Sequence, residues 1–336
     1  MLLGQHLLAL RVILLSSILA YASPCYAWGL SLDSKAQGLA HYIMAVCHDL
    51  NGESAQAIAE YQKSVKFDSL ETAPRLKLGA YFLRLDQVKQ AVVQLKAVER
   101  ISPQDSQAHY LLALIYSSQR KYDLAASEYE NILKLAAKDN SANTDVYMYL
   151  GQLYYAQGKY PSAIEQFLKV LRIDPANTSA HYLLGSVYVD NRAPAFAIEE
   201  FRKVLQIDPE NSEALNSLGY MYADQGVHLN EALRMVGRAI EIDPANGAYY
   251  DSLGWVLYKK GRLAESLAAL QKAQTFIEDE ILYDHIGDVF KALKEYALAC
   301  QYWQKSLDLD PHQILVQQKI KEMKKCITSK SFHRLN

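Results

Sequence analysis

The sequence predicts an all-α chain of stacked helical hairpins, and three observations predict it. A motif recurs about every 34 residues along most of the 336-residue chain. Within each recurrence a small residue is followed at fixed distances by a bulky residue and then by an alanine. A proline-containing turn closes most of the recurrences. Composition agrees, because half of the residues are hydrophobic and only 21% are charged, which excludes a disordered chain. A net charge of −2 excludes a nucleic-acid binder dominated by basic charge. Four cysteines are too few for a disulfide-framed fold of this length.

The first 27 residues read as an address. They hold no acidic residue and one basic residue, Arg11, followed by the apolar run Val12 to Ala22. Eleven residues at about 1.5 Å each make a helix of roughly 16 Å, short of a bilayer core of about 30 Å. Small residues follow in the spacing Ala20-Tyr21-Ala22 or Cys25-Tyr26-Ala27. This is the layout of a cleaved export signal ending at Ala22 or Ala27. The alternative, an anchor retained from Leu2 to Ala22, would bury Arg11 at a cost of about 2.5–3.5 kcal/mol.

The repeat is fixed by the small residues Ala45, Gly79, Ala113, Gly151, Gly185, Gly219, Gly254 and Gly287. Units therefore start near residues 38, 72, 106, 144, 178, 212, 247 and 280 and fill 38–313. Three residues after each small residue come His48, Phe82, Tyr116, Tyr154, Tyr188, Tyr222, Leu257 and Phe290. Twelve or thirteen after it come Ala57, Ala91, Ala125, Ala163, Ala197, Ala232, Ser266 and Ala299. The small residue lets two antiparallel helices approach, and the aromatic one turn later is expected to fill the gap. Glycines such as Gly158 and Gly226 suit the left-handed residue that ends a first helix. Proline in Ile173-Asp174-Pro175 and its counterparts ends the second helix. Four extra residues near Lys138 to Ser141 form either a hinge or, more simply, a longer turn.

This pattern resembles the tetratricopeptide repeat family over about 38–313. The resemblance implies a right-handed α-solenoid of about eight helix-turn-helix units. Its seventh unit closes without the usual proline, having Glu278 there. Val316, Ile320, Met323 and Ile327 form one apolar stripe, so residues 314–328 are expected to cap the array and 329–336 to form a basic tail. The stretch from Leu215 to Trp255 is similar to a segment of exported or membrane-associated bacterial members. That implies an envelope setting, periplasmic or N-terminally anchored.

No phosphate-binding glycine loop, hydrolase elbow, zinc-protease helix or paired-cysteine motif is present. We therefore expect no catalytic residue, no metal and no cofactor. His41 and His48 share a helical face with Cys47 near them, but packing explains them better than a metal. A bridge between Cys300 and Cys326 is conceivable, with free thiols the simpler reading.

The resemblance places the first helix of every unit on the concave wall. It turns inward the residues three before and one, four and five after the small residue. That wall is aromatic: Tyr42, Tyr110, Tyr155, Tyr182, Tyr220, Trp255 and Tyr258. Its later part is acidic: Asp190, Asp224, Asp251, Asp284 and Asp288. The predicted peptide-binding residues are Tyr110, Tyr155, Tyr182, Asn216, Tyr220, Asp224, Asp251, Trp255 and Tyr258, with Asn216, Tyr220, Asp251, Trp255 and Tyr258 at the centre. Tyr220 and Trp255 are expected to be dispensable for folding.

The expected function is that of a non-enzymatic scaffold in assembly of an envelope complex. Its partner would be a protein or peptide segment, apolar and carrying some positive charge, and not a nucleic acid. Two alternatives stand beside it: a secretion or type IV pilus assembly factor, and a regulatory subunit of an envelope enzyme. Residues 319–336 hold six Lys or Arg and one acidic residue. They could touch an anionic membrane surface or form a solvated outer face.

Overall fold

A computed structural model describes residues 33–136 and 144–333, with side chains as far as Lys324. The export signal, the loop at 138–141 and the side chain of Cys326 lie outside the described residues. The chain divides into two compact units, Met1–Val146 and Tyr147–Asn336. Seventeen α-helices and no strand occur among the described residues, the architecture of an all-α repeat solenoid.

In the first unit α1 (Ser34–Leu50) pairs with α2 (Ser54–Phe67), α3 (Ala73–Arg84) with α4 (Val88–Ile101), and α5 (Ser106–Ser118) with α6 (Tyr122–Ala136). The second unit takes up α7 (Thr144–Ala156), which begins at the border, with α8 (Tyr160–Ile173). Three further hairpins follow: α9 (Thr178–Asp190) with α10 (Pro194–Ile207), α11 (Ser212–Asp224) with α12 (Leu229–Ile242), and α13 (Gly247–Lys259) with α14 (Leu263–Ala273). The last hairpin is α15 (Glu280–Ala292) with α16 (Tyr296–Leu309), and α17 (Ile314–His333) packs on α16.

Local chemistry sets each boundary. In the turn Asp174-Pro175-Ala176-Asn177 the Asp174 carboxylate accepts from the Ala176 N–H at 3.2 Å. Asn177 then caps α9 by accepting from the Ala180 N–H at 2.9 Å. Asp208 with Asn211, and Asp243 with Asn246, repeat the arrangement. Where proline is missing before α15, Asp279 accepts from the N–H groups of Ile281 and Leu282 and starts the helix without it.

All eight first helices end on a left-handed residue seven places after the small one. Four are glycines, Gly52, Gly158, Gly226 and Gly261. The other four are Asp86, Arg120, Arg192 and Lys294, held at positive φ at the same place. The next N–H reaches back across the last turn each time, as from Lys159 to the Tyr154 carbonyl at 2.8 Å.

The gap above each small residue is filled from the second helix, not by the aromatic one turn later. A Cβ on Gly151 would sit 2.7 Å from the Phe167 ring, one on Gly185 2.7 Å from Phe201, and one on Gly287 2.4 Å from Trp303. Sixteen residues separate each pair, so the crossing joins the two helices of one hairpin. The aromatics one turn on, such as Tyr222 and Phe290, belong instead to clusters that extend beyond their own hairpin, Tyr222 with Phe201 and Trp255, and Phe290 with Leu270 and Val316.

The closing helix buries Val316, Ile320 and Met323 beside Trp303 and Phe290. It runs to His333, beyond the stripe that ends at Ile327.

Candidate functional site

The first helices of the second unit carry the candidate site. Tyr155 on α7 donates from its hydroxyl to Asp190 on α9 at 2.7 Å. Burial, and then Asp190, push the Tyr155 phenol far up, so it stays a donor. Between α7, α9 and α11 opens a cavity of about 220 Å³. Phe201, Met221 and Val189 give it apolar walls, and Tyr155, Asn216, Ser186 and Tyr220 surround them. Asn216 Oδ1 is buried with no hydrogen-bond partner. Burial raises the Tyr220 phenol as well, followed by the carboxylates of Asp224, Asp251 and Asp284. Tyr182 lies half-buried nearby, its ring 5.5 Å from that of Phe201.

The predicted centre therefore divides. Asn216 and Tyr220 line the open cavity together with Tyr155. Trp255 does not: it is 8% exposed and stacked on His285, with ring centroids 4.1 Å apart. Tyr258 stacks on the same indole at 5.0 Å, and the Lys259 ammonium lies 4.7 Å from its centroid. Trp255 Nε1 has no hydrogen-bond partner. An indole so enclosed belongs to the core between α11, α13 and α15, and the expectation that it is dispensable for folding is withdrawn.

The acidic wall is also altered. Asp251 is held by His285 at 2.8 Å. Lys319 of α17 reaches Asp284 at 2.7 Å and Asp288 at 2.8 Å. Asp288 accepts from Trp303 Nε1 too. Burial raises the Asp284 carboxyl even with Lys319 beside it. Asp190 is engaged by Tyr155, which leaves Asp224 exposed and without a side-chain bond. Lys319, counted with the basic tail in the sequence, is thus turned inward.

In the first unit Tyr110 is half-buried and its ring meets Tyr129 edge-on at 6.3 Å. Tyr42 lies 5.8 Å from Tyr61. Neither joins the cavity at Tyr155.

One recurring network escaped the sequence reading. His41, His109 and His181 bond through Nδ1 to Glu60, Glu128 and Glu200, each at 2.6 Å. Lys63, Lys96 and Lys203 approach the same carboxylates at 2.7, 3.0 and 2.9 Å. The Nε2 atoms of His109 and His181 face the carbonyls of Pro103 and Pro175. Both ring nitrogens of His109 and His181 thus face acceptors. The signal was legible as a histidine four before and a glutamate fifteen after the small residue. Glu99, His109 and Glu128 have the spacing of a cation site, but the Lys96 ammonium lies 2.7 Å from Glu99 and 3.0 Å from Glu128 and supplies the charge. Cys47 and Cys300 are free thiols. No helix among the described residues is long and apolar enough to cross a membrane.

Family models described as tetratricopeptide repeat match residues 76–142, 178–211, 228–280 and 282–313, and one described as TPR repeat matches 151–191. No curated protein matches the sequence. Among solved structures, a tetratricopeptide repeat protein from Parabacteroides merdae is 20% identical with a TM-score of 0.60, covering 75% of this chain and 98% of that one. Cut9–Hcn1 of the APC/C is 15% identical with a TM-score of 0.57, covering 80% of this chain and 52% of that one. YrrB, a TPR protein described as having an unusual peptide-binding site, is 18% identical with a TM-score of 0.48, covering 56% and 95%. At these identities the likeness is one of fold.

Proposed function

Because this chain belongs to the tetratricopeptide repeat family, a family of protein-interaction scaffolds, we propose that it captures a partner segment in the groove of α7, α9 and α11 and has no catalytic role. The observation that carries this reading is the cavity at Tyr155, Phe201, Asn216 and Tyr220. Its walls are apolar and its rim offers hydroxyl and amide groups, a combination suited to an apolar side chain on a peptide backbone. Burying one such side chain contributes about 1.5–3 kcal/mol. A basic residue flanking it would meet Asp224, while Asp251, Asp284 and Asp288 are already paired within the chain. The apolar N-terminal stretch supports export and work on an envelope complex.

A photocrosslinking residue tests the reading. Placed at Ser186 in the groove it should give a partner adduct in envelope extract, and placed at Glu165 on α8 it should give none. Tyr220→Ala should abolish the Ser186 adduct. Equal adducts at both positions would sink the assignment.

A further inference from the structure

The cavity of the second unit has a charged mouth. Asp190 is the one charged side chain among the residues that line it, and no Lys, Arg or His does so. Phe201 and Met221 are buried while Asp190 and Val189 are exposed, so the cavity runs from an apolar floor to an acidic rim. The Tyr155 hydroxyl donates to Oδ2 of Asp190 at 2.7 Å. That bond holds the carboxylate in one orientation and leaves Oδ1 without a partner among the described residues. Asp224, exposed and without a side-chain bond, adds a second negative charge that acts on Tyr220. Lys259 donates to the Asp224 carbonyl at 3.1 Å and rests over the Trp255 ring, so this cation does not line the cavity.

We propose that this cavity receives a lysine of the captured segment, with its aliphatic stem against Phe201 and Met221 and its ammonium at Asp190 Oδ1, an assignment that rests on the groove reading above and names the side chain that enters. The apolar portion that the walls require is then the lysine stem. An apolar floor below an acidic rim matches a side chain that is apolar along its length and charged at its tip. A wholly apolar side chain would fill the floor but would strip water from the Asp190 carboxylate without pairing it. The carboxylate is already oriented by Tyr155, so pairing with it costs little further ordering. With Oδ2 taken by Tyr155, the one open oxygen suits the compact ammonium of lysine better than the two-pronged guanidinium of arginine.

A positional library of short peptides with acetylated and amidated ends, offered to the purified protein and read by mass spectrometry of the bound fraction, tests the proposal. At one position the wild type should favour lysine over norleucine, its uncharged counterpart, by about tenfold, and over arginine by a smaller factor. Asp190→Asn keeps an oxygen for the Tyr155 hydroxyl and removes the charge, so lysine and norleucine should then bind equally. A wild type that prefers norleucine or arginine, or an Asp190→Asn protein that keeps the lysine preference, would overturn the lysine assignment; the groove reading would still stand if Tyr220→Ala abolished that binding. Binding that survives Tyr220→Ala, or no binding at all, would remove the groove reading and the lysine with it.

Discussion

His285 lies flat against Trp255, with ring planes 18° from parallel and centroids 4.1 Å apart, while its Nδ1 holds Asp251 at 2.8 Å. One residue on α15 thereby covers the indole and engages the carboxylate that the sequence pattern assigns to a ligand. The proposed binding surface therefore lies toward α7 and α9, at the cavity lined by Tyr155 and Tyr220.

Trp255→Ala should destabilise the second unit by about 3–5 kcal/mol, the usual cost of emptying a buried aromatic position. Trp255→Phe should cost much less. It keeps a ring against His285 and removes a buried N–H whose lack of a partner costs about 1–3 kcal/mol. Denaturant unfolding of both variants checks the contrast, and equal losses would contradict it.

His109 makes stability depend on pH. Burial alone depresses its pKa, but the Glu128 carboxylate and the Pro103 carbonyl outweigh burial and raise it above the ordinary imidazole value. A raised folded-state pKa stabilises the fold below the unfolded value of about 6.5 and loses that contribution as pH rises through the folded value. The melting temperature of the first unit should therefore fall as pH rises above about 6.5, and His109→Gln should flatten that fall. A profile unchanged by the substitution would refute the assignment.

The left-handed helix ends separate conformational from steric cost. A Cβ on Gly158 meets nothing within 4 Å, so Gly158→Ala should cost about 1–2 kcal/mol through backbone strain alone. Arg192→Gly, at the same place in the next hairpin, should be neutral or mildly stabilising. Gly287→Ala keeps an allowed backbone but drives a Cβ to 2.4 Å from Trp303, and should cost about 1–3 kcal/mol by overpacking. Thermal melts of the three variants rank them.

Removing Lys319 should leave the Asp284 and Asp288 carboxylates facing each other without a cation. Lys319→Ala should destabilise the last hairpin, and Lys319→Arg should restore most of the loss. Hydrogen exchange on α15 to α17 measures it. Unchanged protection in Lys319→Ala would show that the apolar stripe of α17 suffices.

The helices, their order and their ends were legible in the chain because they depend on neighbours in sequence. Proline disfavours a helical residue before it, Asn177 caps the turn it stands in, and Gly158 or Arg192 occupies a position set by the preceding helix. The candidate inward residues rest on offsets that the family resemblance implies. Which of them stay open to a guest was decided between hairpins. Trp255 is closed off by His285, thirty residues away, and Asp284 and Asp288 by Lys319 on the closing helix. Tyr155, Asn216 and Tyr220 keep a cavity between them whose walls include Phe201 from α10 and Met221 from α11. Burial and pairing of this kind depend on distances across the stack, which the spacing within one repeat does not encode.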